Sequence, residues 1–471
     1  MHYLEEDTIV APATLPGTGA LSLLRISGPL SISICDNVVR FSGASLSDTP
    51  GGRLRYGEVF GADGSLLDTV VVSVFRAPHS YTGEDSVELS CHASKFIVSR
   101  LLELLCSAGA RLAGPGEFTK RAFLNGKMDL SQAEAVADVI SSNSAASHRV
   151  AMNQLRGGYS GDLRSLRDDL IQMASLMELE LDFSEEEVEF ADRKHLQTLL
   201  DTVCVHIDKL ISSFKLGNAI KNGIPVAIVG PVNAGKSTLL NTLLNEERAI
   251  VSDVAGTTRD TIEETVNIGG LLFRFIDTAG LRETSEYVES AGIERSFRKL
   301  SEADVVLAVI DSTAPADASL SSIKDIISKV DFTNQKLVIL LNKCPKNSYN
   351  KNVTLINKFV LSLNNQIDIF KISALEKIGI EEVKNYLTES FSQLNLQEDT
   401  TLVTNIRHLE ALKNARNSLS AVASGLSHGS PTDLVAQDLR EAISHITSIL
   451  GEDITPDTVL HHIFANHCIG K

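Results

Sequence analysis

The sequence predicts a multidomain α/β protein: a small α+β segment, a helical domain, and an α/β body set between two stretches of that helical domain. Three observations carry this. Up to about residue 120, short strand-like runs alternate with clusters of Gly, Pro, Ser and Asp. From Gly116 to Ile224 there is no proline, and apolar residues recur at helical spacing. From Pro225 onward, strand-like and helical runs alternate, which calls for a parallel sheet with crossovers, and helical periodicity returns after about residue 390.

In the first segment "LSLLRISG", "VVVSVFRAP" and "SVELSCHAS" read as strands, and "KFIVSRLLELLCSAG" reads as a helix. In the second, "AEAVADVI", "LRSLRDDLIQMASLMELEL" and "LQTLLDTVCVHIDKLI" read as helices. Gly157-Gly158 and the acidic "SEEEVE" read as breaks between them. The third offers strands at "VAIVG", "LLFRFID", "DVVLAVID", "KLVILLNK" and "DIFKISA". The chain then closes with helices in "LVTNIRHLEALKNARNSLSAVASGL" and "DLVAQDLREAISHITSIL". The expected boundaries are 1–120, 121–219, 220–388 and 389–471.

Composition narrows the function classes. The chain has 471 residues and 43% hydrophobic residues, an ordinary globular balance. It has no apolar run of membrane-spanning length, and its first residues carry acids where a signal peptide carries bases. The expectation is a cytoplasmic protein with no membrane association. Its six cysteines form no CxxC pair and no zinc spacing, so reduced and mostly buried thiols are expected. The net charge of −17 argues against general nucleic-acid binding, so any RNA needs a local basic patch or a partner's charge.

The chemistry begins at "GPVNAGKS", which fits GxxxxGK[ST] between a strand and a helix. Backbone N–H groups of such a loop face phosphate oxygens at a helix N-terminus. Asn233, Ala234, Gly235, Lys236, Ser237 and Thr238 are the expected phosphate-binding residues. Lys236 would reach the β- and γ-phosphates, and the Ser237 hydroxyl would bind Mg²⁺. "VSDVAGTT" follows in a connecting loop, with Ser252, Asp253, Val254, Ala255, Gly256, Thr257 and Thr258 as nucleotide-binding candidates. "DTAG" (Asp277, Thr278, Ala279 and Gly280) ends the next strand, with an acid near Mg²⁺ and a glycine N–H able to sense a γ-phosphate. Leu281 then stands where a Ras-like water-orienting glutamine belongs, so water must be positioned by another route.

Base-reading loops follow. Asn342 and Lys343 end one strand, and Ser373, Ala374 and Leu375 end the next. Asn342 would support the loop, the Lys343 stem would stack on the base, and the Ala374 N–H would meet guanine O6. The expected acid is missing, because Pro345 occupies its place. Guanine N1–H and N2–H₂ thereby lose an acceptor, and an unpaired buried donor costs roughly 1–3 kcal/mol.

These motifs, with "DTIVAPAT", "LLRISG", "SYTGEDSVEL", "GPGEFTKRAFLNGKMDLSQAEA", "LDFSEEEVEF", "VAGTTRDTIEE", "IDTAGLRE", "LVAQDLREA" and the closing "HCIGK", make nearly the whole chain resemble the MnmE (TrmE) family of tRNA modification GTPases. The resemblance implies an N-terminal tetrahydrofolate-binding and dimerisation domain, and a Ras-like G domain inserted in a central helical domain. It also implies a homodimer that joins an FAD-dependent MnmG-type partner in a heterotetramer or larger assembly. With GTP, Mg²⁺, K⁺ and 5-formyl- or methylene-tetrahydrofolate, that assembly would modify C5 of the wobble uridine of tRNA, giving carboxymethylaminomethyl or aminomethyl groups.

Carried onto this sequence, the resemblance implies K⁺ ligands at Asn233, Ser252, Val254 and Thr257. Mg²⁺ would take Ser237 and Thr258, and Glu289 would position the hydrolytic water. The folate site would use Arg25, Glu88, Lys127 and the terminal Lys471. Cys468 is a further candidate thiol, whereas His461, His462 and His467 read as structural. Read without the resemblance, each folate residue is an ordinary surface or strand polar group. A regulatory RNA- or ribosome-associated GTPase switch shares the nucleotide motifs and needs no folate residues. A stand-alone folate aminomethyltransferase would not need the nucleotide motifs.

Overall fold

The computed structural model describes residues 7–182, 193–247, 264–276, 300–344, 351–363, 367–391, 401–452 and 470. Two compact units emerge. One comprises Met1–Ile140, Met152–Ile207 and Glu410–Lys471; the other comprises Ser141–Ala151 and Asp208–Leu409. The longer stretch of the second unit begins and ends within helices, and the short stretch Ser141–Ala151 belongs with it.

The first unit holds β1 (Ile9–Pro12), β2 (Leu21–Ser27), α1 (Ser31–Val38), β3 (Val39–Phe41), β4 (Arg53–Phe60), β5 (Leu66–Phe75), β6 (Ser86–His92), α2 (Lys95–Ser107), β7 (Arg111–Leu112), α3 (Glu117–Leu124) and α4 (Leu130–Ser141). Its seven strands lie in the order β3-β4-β5-β6-β2-β1-β7, antiparallel except for the β1–β7 pair. β5 alternates, with Val70, Val72 and Val74 buried against α1 and α2. This is the pattern of a sheet with one covered face. On the other face Leu54, Tyr56 and Val71 are exposed, with Tyr56 directly opposite Val71 in register. Of α5 (Ala145–Leu155), α6 (Gly158–Asp182) and α7 (Arg193–Asn222), α6 supplies buried Leu163, Leu166, Leu170 and Met173 at helical spacing.

The second unit holds β8 (Ile224–Val229), α8 (Lys236–Glu247), β9 (Glu264–Ile268), β10 (Leu271–Ile276), β11 (Val305–Asp311), α9 (Ala316–Ile327), β12 (Lys336–Asn342), α10 (Lys351–Ser362), β13 (Asp368–Lys371) and α11 (Ile380–Ser390). The sheet order is β13-β12-β11-β8-β10-β9, parallel except for the β9–β10 hairpin. β11 and β12 are apolar without alternation, because helices cover both faces. Leu239 and Leu243 of α8 with Val383 and Leu387 of α11 fill one side; Ile323 of α9 with Ile356 of α10 fills the other.

The chain returns through α12 (Ile406–His428) and α13 (Thr432–Leu450), and α13 packs on α6. Where the chain passes Val403, it lies against α7: a β-carbon on Gly217 would overlap the Val403 carbonyl oxygen. The Val403 N–H donates to Ser213 Oγ at 3.1 Å, and Leu402 and Val403 are buried. Among the described residues, no helix is long and apolar enough to cross a membrane. Five described cysteines are free thiols; Cys35 and Cys91 are buried, whereas Cys106, Cys204 and Cys344 are only partly so.

Candidate functional site

The phosphate loop runs from the end of β8 into α8. Gly230 has φ +144° and Gly235 φ +98°, values that L side chains rarely adopt. Both also lack room. A β-carbon on Gly230 would overlap the Val309 carbonyl, and one on Gly235 would overlap the Asn342 amide. Asn233 takes φ +63°, so the loop turns back on itself through a non-glycine residue. Lys236 opens α8, and its ammonium donates to the Gly230 and Pro231 carbonyls, both at 2.8 Å. Burial holds its pKa below the usual lysine value. Ser237 and Thr238 follow in the first turn of α8.

Asn342, 3% exposed, joins three loops. Its Nδ2 donates to the Ala234 carbonyl at 2.8 Å, and its Oδ1 accepts from the Ala374 N–H at 3.0 Å. Thr242 of α8 donates to the Ala374 carbonyl at 2.9 Å, and the Cys344 N–H donates to the Ile372 carbonyl. The expected phosphate loop and the two loops expected to read the base are therefore one hydrogen-bonded assembly at the carboxyl ends of β8, β12 and β13, where open α/β sheets bind ligands. The Ala374 N–H, expected to face guanine O6, is engaged by Asn342 in this structure. Ser373 is buried and Leu375 is exposed.

Lys343 takes φ +62°. Its Nζ lies 2.6 Å from Asp311 Oδ2 at the end of β11, where Asp311 stands opposite Asn342 in register. Burial works against ionisation of Asp311, but its bonds to Lys343 and Thr313 outweigh this and hold its carboxyl below the ordinary value. Ser252, Asp253, Val254, Ala255, Gly256, Thr257, Thr258, Asp277, Thr278, Ala279, Gly280, Glu289, Pro345, Cys468, His461, His462, His467 and Lys471 lie outside the described residues.

In the first unit, Arg25 on β2 stands opposite Glu88 on β6. The guanidinium Nε and Nη2 reach Glu88 Oε1 at 2.9 and 2.8 Å. Arg25 is flanked by the rings of Tyr81, at 5.0 Å, and Phe118, at 5.7 Å. It also donates to the Gly470 carbonyl at 3.5 Å. Gly470 has φ +97°, and a β-carbon there would overlap the Pro12 carbonyl. Gly470 thus lies at the strand pair that carries Arg25 and Glu88. Lys127 does not join that pair. Its Nζ donates to the Pro78 carbonyl at 2.9 Å, and its stem lies by Gly83, in the loop that presents Tyr81.

Tyr81, Phe118, Asp311 and Thr242 were not among the residues the sequence singled out for roles. For the first two, the signal lay in "SYTGEDSVEL" and "GPGEFTKR". Nearby, the nearly buried Arg121 bonds Asp7, Glu84 and Glu117, and Ser27 bonds Glu84, Thr82 and Ser86.

Comparison with known proteins decides the family. Residues 130–468 match the family described as "MnmE helical domain", and residues 8–127 match "GTP-binding protein TrmE N-terminus". The chain belongs to the MnmE family of tRNA modification GTPases. Among relatives of that name, the MnmE protein of Parabacteroides distasonis is 50% identical, with 99% of this chain and 100% of the relative covered. That of Porphyromonas gingivalis is 49% identical, with 100% of this chain and 99% of the relative covered. Among solved structures, a GTP-binding protein of Sulfolobus solfataricus in complex with GDP is 20% identical. It covers 49% of this chain and 67% of its own, with a TM-score of 0.28, too low to carry weight.

Proposed function

We propose that this MnmE-family chain is a K⁺-stimulated GTPase whose cycle drives modification of C5 of the tRNA wobble uridine. It would act with an FAD-dependent partner and a tetrahydrofolate one-carbon unit. The observation that carries the reading is the coexistence, in one chain matching MnmE relatives end to end, of the phosphate-loop assembly with the Arg25–Glu88 pair.

The described residues support the reading for the phosphates and for a folate carboxylate. Phosphates suit the turn that the positive φ angles of Gly230, Asn233 and Gly235 shape, beside Lys236 and the first amides of α8. Mg²⁺ would be held by Ser237 together with Thr258. K⁺ would be held by Asn233, Ser252, Val254 and Thr257, supplying positive charge where phosphoryl transfer develops negative charge. Glu289 would orient water. A folate glutamate carboxylate suits Arg25, whose guanidinium is fixed by Glu88 and two rings, with Lys127 and Lys471 as further cations. The bare sheet face carrying Leu54, Tyr56 and Val71 supports a homodimer. A cytoplasmic location belongs to the same proposal.

The deciding test is GTP hydrolysis in K⁺ and Na⁺ buffers. Turnover at least ~10-fold faster in K⁺ is expected, a modest share of what a placed charge contributes to phosphoryl transfer; equal rates remove the K⁺ assignment. Glu289→Ala should retain nucleotide binding but hydrolyse ~100-fold more slowly, the low end for losing a group that acts on the attacking water. Normal turnover in that variant excludes the role. Pro345→Asp should sharpen discrimination of GTP from ATP; unchanged selectivity means another group already serves the base edge.

A further inference from the structure

Pro345 supplies no carboxylate, yet a carboxylate stands at the base-reading loops all the same. It comes from β11 rather than from the loop after β12. Asp311 ends β11 with its two oxygens divided. Oδ1 accepts from the Thr313 N–H at 2.9 Å and from the Thr313 hydroxyl at 2.7 Å. Oδ2 takes the Lys343 ammonium at 2.6 Å. The Ser312 N–H donates to the Asn342 carbonyl at 3.0 Å, so the ends of β11 and β12 are tied together beside the pair. The left-handed backbone at Lys343 turns its side chain back across the strand ends, and the ion pair fixes it there.

We propose that Asp311 is a positioning residue of the base site: it pins Lys343, so that the lysine stem is a fixed apolar shelf on which the guanine ring stacks. This deepens the GTPase reading and rests on it. Recognition then leans on stacking and on the Asn342 assembly more than on an acceptor for the base edge. Asp311 acts through Lys343 and does not itself touch the base, since both of its oxygens are already committed.

The test uses the full-length chain, fluorescent GDP and unlabelled GDP and IDP, the latter lacking the exocyclic amino group. Asp311→Ala should weaken GDP and IDP by the same factor, about tenfold, mainly through faster release. Asp311→Glu should restore most of the affinity. Lys343→Ala should match Asp311→Ala, and the double variant should be no weaker than either single one. Three results overturn the proposal. Wild-type affinity in Asp311→Ala removes the role. Additive losses in the double variant show that the two residues act separately. Loss of GDP binding with IDP binding spared shows that Asp311 reads the base edge directly. If the wild-type chain binds no GDP at all, the GTPase reading itself fails, an outcome distinct from the other three.

Discussion

Gly235→Ala is expected to lower guanine-nucleotide affinity by at least ~100-fold, while each unit keeps its fold. The added carbon falls on the Asn342 amide at a backbone φ of +98°, so neither the loop nor Asn342 keeps its place. Displacing Asn342 orphans the Ala234 carbonyl and the Ala374 N–H, both buried. At about 1–3 kcal/mol per orphaned group, the two come to about 2–6 kcal/mol, a range that spans the ~2.7 kcal/mol of a 100-fold loss. The loss should appear as nucleotide binding rather than melting, because the parallel sheet and its two covering layers do not depend on the loop. Equilibrium titration with fluorescent GDP, beside a thermal melt followed by circular dichroism, gives the answer. Affinity within threefold of wild type would show that the Asn342 bridge does not organise the site.

Arg25→Ala carries the second large effect, on the other unit. The guanidinium sits between two rings and makes both of its short bonds to one carboxylate oxygen, so Glu88 loses its partner along with it. Charge-assisted bonds contribute about 1.5–3 kcal/mol each, which sets an expected loss of ~10–100-fold in 5-formyl-tetrahydrofolate affinity by calorimetry. GTP turnover should be unchanged. Arg25→Lys should recover only part of the affinity, because an ammonium lacks the planar fork that meets a carboxylate and stacks between rings. Folate binding equal to wild type in Arg25→Ala would place the folate elsewhere and leave the pair a purely structural one.

What was legible in the sequence follows from what is local. The phosphate loop declares itself because Gly230 and Gly235 are forced by backbone angle and by lack of room, and both constraints fall within eight consecutive residues. The parallel strands are legible because burial on both faces removes alternation from β11 and β12. Pairings across long stretches of chain are not legible. Arg25 meets Glu88 because β2 pairs with β6, skipping three intervening strands, and no local pattern encodes that neighbour. Lys343 meets Asp311 through a strand pairing and a left-handed residue that a lysine does not announce. The unit boundaries within helices are not legible for the same reason: helical periodicity continues through α7 and α12 whichever unit each turn belongs to. The Ala374 N–H was assigned to the base from its motif alone, whereas its Asn342 partner is visible only once the strands are in order.

The contact between Gly217 and Val403 has a consequence for how the chain is assembled. The polypeptide leaves along α7 and comes back past Val403, and these two passes touch. In loop-closure terms, the nucleotide-binding body between them is one very long loop pinched shut at its root. Closure entropy rises only slowly with loop length, by ~0.6 kcal/mol per doubling. The cost of closing that loop therefore changes little when residues are added or removed between the two passes, provided the glycine and the carbonyl at the root still meet.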